Sequence, residues 1–136
     1  MRNDKAAKAL IDDAEIIGEE ARSSLDSGHY HRVIRKCQEA TELAVKGILK
    51  YVGIEYPKSH ILGRVIKKEL SKRNILSREE LEKMAYISDM LVFDREPSFY
   101  GSPDGIPASQ LYDKEDATDA IEKSQWLIDR VKRLTK

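Results

Sequence analysis

His60 and Arg95 are the residues of this sequence best suited to chemistry on a phosphate group. An imidazole can exchange a proton near neutral pH, and a guanidinium binds phosphate through a fork of N–H donors. No other pair of this kind lies on helices that could bring it together. The alternative roles are structural: His60 would begin a helix and bond to its neighbours, and Arg95 would cap the end of another helix.

Glu42, Lys46 and Asp94 are further candidates for binding a ligand. Glu42 and Lys46 are four residues apart, the spacing at which an ion pair forms on the surface of a helix. The alternative for this pair is a contact with a nucleotide ribose or with a protein partner. A buried Arg95 would need a partner because an unpaired buried charge is costly. Candidates for that partner are a bound anion and the carboxylates of Asp89, Asp94 and Glu42.

Tyr100 and Tyr112 lie in a predicted long loop, residues 94–112, which contains three of the four prolines and two glycines. Loops of this length are uncommon in compact domains and are often functional. The two tyrosines could stack on a base, although packing against the core or under a lid is the commoner use of such rings. The loop is therefore a second place to look for a ligand.

Metal chemistry is not expected. The three histidines, His29, His31 and His60, have no Cys or carboxylate cluster at ligand spacing, so the sequence predicts no metal site, and it shows no motif for a cofactor. Cys37 is the single cysteine and lies on the apolar face of a predicted helix. We expect a packed, inert thiol there rather than a nucleophile.

Length and composition favour one soluble globular domain spanning residues 1–136. Hydrophobic residues make up 40% and charged residues 35% of the chain. The 24 basic and 24 acidic residues cancel, so no global field attracts nucleic acid or a membrane, and any nucleic-acid site must be a local patch. The sequence has no export signal and no long apolar run. We therefore expect a cytoplasmic protein without membrane spans.

Apolar residues spaced by three and four predict helices throughout the chain. The longest pattern, residues 29–53, should form the central helix. A first helix is predicted over residues 5–26, a third from Ser59 to Leu70 with His60 as its first residue, a fourth after Ser77, and a last one after Asp113. No segment alternates like a strand. The fold class is therefore all-α, an up-and-down bundle of about five helices with the long loop before the last.

Two side chains and one segment carry further predictions. Extending the period of the fourth helix places Arg95 on its inner face. Trp126 is predicted to point outward from the last helix, which indicates either a covering loop or an interface with a partner. Residues 64–73 contain five basic residues and one acidic residue. A solvated helix face is favoured there over an RNA-binding patch, because no aromatic residue is interleaved.

Five short segments of the sequence carry a family resemblance. The segments are GHY at 28–30, QEATELAVKGIL at 38–49, YPKSHIL at 56–62, DREP at 94–97 and YDKEDA at 112–117. In this order they resemble the HEPN (higher eukaryotes and prokaryotes nucleotide-binding) family. The second segment is similar to the family run Q-x-A-x-E-x-A-x-K-A, and the third to its P-x-T/S-H-x-L element. The resemblance covers nearly the whole chain, and the joint order of the segments is what makes it specific.

The resemblance implies a helical bundle that usually forms a homodimer. It also implies a gene often found beside a small nucleotidyltransferase, with which the protein acts as a toxin–antitoxin pair. Many members of the family are metal-independent ribonucleases that use an Arg followed four to six residues later by a His. No His follows Arg95 in this sequence, and Glu96 stands where the family usually has Tyr.

Three functions remain open on this basis. The first is a homodimeric component that binds a nucleotide or RNA, without the usual ribonuclease site, and works with a nucleotidyltransferase. The second is a metal-independent RNA endonuclease toxin that uses Arg95. The third is a purely structural dimeric adaptor in which Arg95 only caps a helix.

Overall fold

The computed structural model describes residues 4–136, and this part of the chain contains helices and no strand. The predicted all-α bundle is therefore confirmed. A short π-helical segment, Ile66–Leu70, directly continues α3, and a 3-10 turn, Ala108–Gln110, precedes α6. The helices are α1 (Asp4–Asp26), α2 (Tyr30–Tyr51), α3 (Gly63–Val65), α4 (Arg78–Phe93), α5 (Pro97–Tyr100) and α6 (Lys114–Leu134).

Helix α2 is the centre of the bundle, as its length and apolar pattern predict. It packs against α1, α4, α5 and α6, and its interior residues Val33, Ala40 and Ile48 are fully buried. The link from α1 is a short turn in which Gly28 has a φ of 77°. Glycine adopts this left-handed conformation without strain, so α1 and α2 can lie side by side as antiparallel neighbours.

Capping boxes are present at the predicted starts of α4 and α6. Ser77 Oγ accepts the N–H of Glu80 at 3.1 Å, and the Glu80 carboxylate accepts the N–H of Ser77 at 3.0 Å. Asp113 and Asp116 repeat this exchange at 2.8 and 3.0 Å. These bonds satisfy backbone donors that the first turn of a helix leaves free, and they fix where α4 and α6 begin.

The third helix begins later than predicted. It starts at Gly63 rather than after Ser59, so His60 lies in the segment before the helix and is not its first residue. Ser59 Oγ accepts the N–H of Ile61 at 3.0 Å, which closes a local turn instead of capping the helix. The start of α3 is held from outside, because the Asp89 carboxylate of α4 accepts the Gly63 N–H at 2.8 Å.

The long loop after α4 is partly helical. Pro97 stands at the start of α5, where its missing N–H costs nothing, and Gly101 ends that turn with a φ of 88°. The N–H of Ser102 then donates to the Ile106 carbonyl at 2.9 Å. Residues 94–112 are thus folded onto the bundle through local turns.

Cys37 is buried, as predicted, with 1% of its surface exposed. Burial raises the pKa of its thiol to about 11, against the opposing effects of a hydrogen bond with Ser124 and the charge of Arg22. The thiol therefore stays protonated and unreactive at neutral pH. Among residues 4–136, no helix has the length and apolar character needed to cross a membrane. The described residues also contain no group of three or more His, Cys, Asp or Glu that could hold a metal ion.

Candidate functional site

The carboxylate of Glu42 is the hub of a polar network on α2. Its Oε2 accepts a hydrogen bond from Lys46 Nζ at 3.0 Å, which confirms the predicted ion pair. Its Oε1 accepts a second bond from Gln38 Nε2 at 3.0 Å and a third from His60 Nδ1 at 2.8 Å. Only 17% of the Glu42 side chain is exposed, so these bonds replace most of its hydration.

Burial and hydrogen bonding act on Glu42 in opposite directions. Burial raises the pKa of the carboxyl group and is the largest single influence. The hydrogen bonds and charges of Lys46 and His60 together outweigh it, so the pKa lies below its ordinary value. Glu42 is therefore ionised at neutral pH and acts only as an acceptor. The hydrogen of the His60 bond must accordingly be on Nδ1.

His60 is oriented by this bond in a way that the sequence did not predict. With Nδ1 donating to Glu42, Nε2 is the ring nitrogen that remains for other contacts, and no described residue bonds to it. The imidazole side chain is 44% exposed. A carboxylate that fixes the orientation of a histidine in this manner is a recurring arrangement in sites where the free nitrogen accepts a proton.

Arg95 and His60 line the same open depression on the surface, so the structure brings this predicted pair together. The depression lies between the C-terminal end of α4 and the segment before α3. Apolar surface comes from Ile61, Phe93 and Pro97, which also line it. Within residues 4–136, no carboxylate pairs with the Arg95 guanidinium. It is a cation without a counter-ion in the same depression as an oriented imidazole.

The prediction that Arg95 points into the core is wrong, whereas a bound anion as its partner stays a prediction. Helix α4 ends at Phe93, so the helical period no longer applies at Arg95, which is partly exposed in the turn that follows. The three carboxylates considered as its partners are engaged elsewhere. Glu42 bonds to Lys46, Gln38 and His60, Asp89 accepts the Gly63 N–H, and Asp94 accepts the Tyr112 hydroxyl.

Tyr112 is tied to the end of α4. Its hydroxyl donates to Asp94 Oδ1 at 3.0 Å across the long loop. Burial raises the pKa of Asp94, the Tyr112 hydrogen bond opposes that effect, and the charge of Asp116 adds to it. Burial likewise raises the pKa of the Tyr112 phenol, as do the charge and hydrogen bond of Asp94. This hydrogen bond joins the two ends of the loop, and we call it the Asp94–Tyr112 clasp.

Tyr100 differs from Tyr112 in being largely exposed. It stacks edge-on against Phe99, whose ring lies 3.6 Å from the Arg35 guanidinium. Neither Tyr100 nor Tyr112 lines the depression that holds Arg95 and His60. The structure therefore separates the tyrosines from the phosphate-binding candidates, and their stacking on a base stays a prediction.

Removing the Tyr112 hydroxyl tests whether the clasp stabilises the fold. Tyr112→Phe should lower the free energy of unfolding by about 1–2 kcal/mol at neutral pH. The partly buried carboxylate of Asp94 would then lose the hydrogen bond that the Tyr112 hydroxyl donates to it. Asp94→Asn should instead leave stability unchanged or raise it by about 0.5–1 kcal/mol, since a negative charge is unfavourable at a helix C-terminus.

Urea unfolding at two pH values measures both effects. Because the pKa of Asp94 is raised in the folded state, its ionisation costs stability as pH rises through that pKa, and the cost is absent well below it. The loss caused by Tyr112→Phe should therefore shrink as pH is lowered. An equal loss in both variants at every pH would contradict this account.

Trp126 is not the outward-pointing aromatic that the helical period predicts. It is partly buried and packs against the core at the junction of α4 and α6. Two cations cover its ring, with Lys83 Nζ 4.3 Å and the Arg130 guanidinium 5.4 Å from its centre. Contacts within the chain thus cover much of this ring, and a role of Trp126 in an interface with a partner stays a prediction.

The sequence matches the family model for the HEPN domain over residues 7–134. The chain belongs to the HEPN domain family. Among solved structures, TT1696 from Thermus thermophilus superposes with a TM-score of 0.77 at 23% identity, covering 94% of this chain and 97% of that one. ST0689, described as an archaeal HEPN homologue, has a TM-score of 0.74 at 26% identity and covers 96% and 98%. No curated protein matched the chain.

This HEPN domain has one prominent site residue that sequence reasoning missed. Phe93 lies beside Arg95 in the depression, and 80% of its surface is exposed. A signal was present, because Phe93 does not belong to the buried stripe of α4 that includes Met84 and Leu91. It is seven residues from Tyr86, a spacing that places both aromatic rings on the same outer face of the helix.

Proposed function

We propose that this HEPN domain protein binds a phosphate group of a nucleotide or RNA in the depression between Arg95 and His60. In this role it would be the homodimeric, cytoplasmic component of a nucleotidyltransferase-associated toxin–antitoxin system, as the family resemblance implies. The observation that carries the proposal is the guanidinium of Arg95, which has no counter-ion among the described residues and lines the same depression as an imidazole that Glu42 holds in place.

Several features of the depression suit a nucleotide. A guanidinium presents parallel N–H donors to two phosphate oxygens, and His60 Nε2 is available for a further contact. The exposed ring of Phe93 offers a surface on which a base can stack. Glu96 also lines the depression and would disfavour a second negative group next to it. One phosphate with one base is therefore the unit that fits.

RNA cleavage is the second candidate function, and the Glu42–His60 contact is what favours it. With Nδ1 held by Glu42, Nε2 could take the proton of a ribose 2′-hydroxyl as that oxygen attacks the adjacent phosphorus. Arg95 would stabilise the charge on the phosphoryl oxygens, and water would protonate the departing 5′-oxygen. The products would be a 2′,3′-cyclic phosphate and a free 5′-hydroxyl.

Arg95→Ala is the variant that tests the site. We expect a loss of affinity of about 10- to 150-fold for labelled UMP and for RNA, since a charge-assisted phosphate contact is worth about 1.5–3 kcal/mol. Fluorescence anisotropy measures binding, and circular dichroism checks the fold. A matched control is Arg64→Ala, which removes an exposed cation that does not line the depression and should leave UMP binding unchanged.

The same samples separate the candidate functions when RNA integrity is followed with a chelator present. Cleavage by the wild-type protein that is lost in both Arg95→Ala and His60→Gln would favour the enzyme. Binding without cleavage would favour the binding component, and sedimentation velocity would show whether it is a dimer. A folded protein that binds neither UMP nor RNA would exclude both candidates and leave the structural adaptor.

A further inference from the structure

The outer face of α4 and the basic stretch after Gly63 form one continuous surface. Three open depressions there share their lining residues. The depression of Arg95 shares Phe93 with a second one, and the second shares Lys67 with a third, beside α3. We name this surface the α3–α4 track and define it by the residues Arg95, Phe93, Tyr86, Lys67, Lys68 and Arg64.

The geometry points to the α3–α4 track as a binding site for a single-stranded RNA segment several nucleotides long. This inference rests on the function proposed above and extends it from one phosphate to a strand. Single-stranded nucleic acid is commonly bound by cations that follow its backbone together with aromatic rings on which its bases stack. The track presents both kinds of group on one face.

Two aromatic rings on the track are exposed to an unusual degree. Phe93 is 80% exposed and Tyr86 is 60% exposed, and both project from α4 seven residues apart. Seven residues of α-helix span about 10 Å, so the rings are too far apart to stack on the same base. They offer separate platforms to different nucleotides of one strand.

Three of the four cations of the track are available for phosphate groups. No described side chain pairs with Arg64, Lys68 or Arg95; the first two are exposed and Arg95 is partly exposed. Of the carboxylates that line the track, Glu82 is 3.6 Å from Lys67, and Asp89 accepts the Gly63 N–H. Glu96 is the third. The track thus has four cations and three carboxylates, so stacking must supply much of the affinity.

The sequence of the basic stretch does not by itself indicate that aromatic rings accompany its cations. Residues 64–73 contain no aromatic residue, which is why a solvated helix face is favoured there from sequence alone. The fold places the exposed rings of α4 next to α3 and supplies the aromatic residues from another part of the chain.

Two probes test the inference: UMP, and an oligouridylate of about eight nucleotides with 2′-O-methyl groups, which the protein cannot cleave. We expect the oligonucleotide to bind more tightly than UMP. Tyr86→Leu should weaken oligonucleotide binding about tenfold and leave UMP binding within about twofold, because only the longer strand reaches Tyr86. Tyr86→Phe keeps the aromatic ring and should bind the oligonucleotide as tightly as the wild-type protein does.

Salt dependence gives a second readout that a structural defect would not reproduce. About three phosphate contacts on a single strand predict a slope of roughly −2 in log affinity against log salt concentration. Lys68→Gln should make that slope shallower by about 0.7. The control Lys8→Gln removes the same charge from α1, at a residue that lines none of the three depressions, and should leave the slope unchanged.

Each alternative result has a defined meaning. Equal affinity for the two probes, with no effect of Tyr86→Leu, would overturn the track while the proposed phosphate site stands. Absence of binding to both probes would overturn both proposals. If Tyr86→Leu instead dissociated a dimer and left RNA affinity unchanged, the face would be a contact between copies of this chain and the inference would be wrong.

Discussion

Glu42→Gln is expected to lower the free energy of unfolding by about 2 kcal/mol at neutral pH. The substitution keeps the size of the side chain but removes the charge that accepts bonds from Lys46, Gln38 and His60. The loss should be smaller than the roughly 3–5 kcal/mol typical of breaking a fully buried pair, because His60 and Lys46 can regain some hydration.

The loss should also depend on pH in a definite direction. The pKa of Glu42 is lower in the folded protein than its ordinary value. The stabilisation by the ionised carboxylate is therefore fully present above the unfolded pKa and disappears as pH falls through the folded pKa. Urea unfolding from about pH 7 down to about pH 3 should show the wild-type and Glu42→Gln stabilities converging.

Glu39→Gln is the matched control for this measurement. Glu39 lies on the same helix and pairs with Arg35 at 3.2 Å, but as a peripheral i,i+4 ion pair. Such pairs contribute about 0.3–0.5 kcal/mol, so the control should change stability by no more than about 0.5 kcal/mol. Equal losses at Glu39 and Glu42 would contradict the central role of the Glu42 network.

Gly47→Ala and Gly18→Ala should have opposite effects on stability although both glycines lie inside helices. A Cβ at Gly47 would be 2.7 Å from Ile11 Cγ1, in the buried contact between α1 and α2. Overpacking of this kind costs about 1–3 kcal/mol. A Cβ at Gly18 would have Ile128 Cδ1 at 3.8 Å as its nearest contact. There, alanine should stabilise the helix by about 0.5–1 kcal/mol.

Thermal and urea unfolding of the two variants measure this difference. Ile11→Ala combined with Gly47→Ala provides the decisive check, because it removes the Ile11 Cγ1 and Cδ1 atoms that the new methyl group would meet. The loss in the double variant should therefore be smaller than the sum of the two single losses. Stabilisation by Gly47→Ala alone would show that α1 and α2 can separate slightly without cost. The close packing inferred for this contact would then be wrong.

Local signals in the sequence were sufficient for most of the helices. The apolar period predicts α2, and Ser77 and Asp113 predict where α4 and α6 begin, because these signals depend only on neighbouring residues. The start of α3 was misplaced because its N–H donor at Gly63 is satisfied by Asp89, which is distant in the sequence. Local rules cannot anticipate such a partner.

The candidate site also combines features that the local sequence predicts with features that depend on distant residues. The i,i+4 spacing of Glu42 and Lys46 predicted their ion pair, and the proposed proximity of His60 and Arg95 agrees with the shared depression. The period of α4 gave the wrong environment for Arg95, because a helical period has no meaning beyond the last residue of the helix. Trp126 was misjudged because helix α4 covers the face that α6 alone would expose.

The sequence by itself determined the helical architecture, the HEPN family and the types of residue that could bind phosphate, because these depend on local periodicity and on motif order. Only the tertiary structure decided that Glu42 orients His60, that Arg95 is left without a counter-ion among the described residues, and that aromatic rings of α4 lie beside the cations after Gly63. Each of these facts joins residues far apart in the chain, and packing of the bundle is what brings them together.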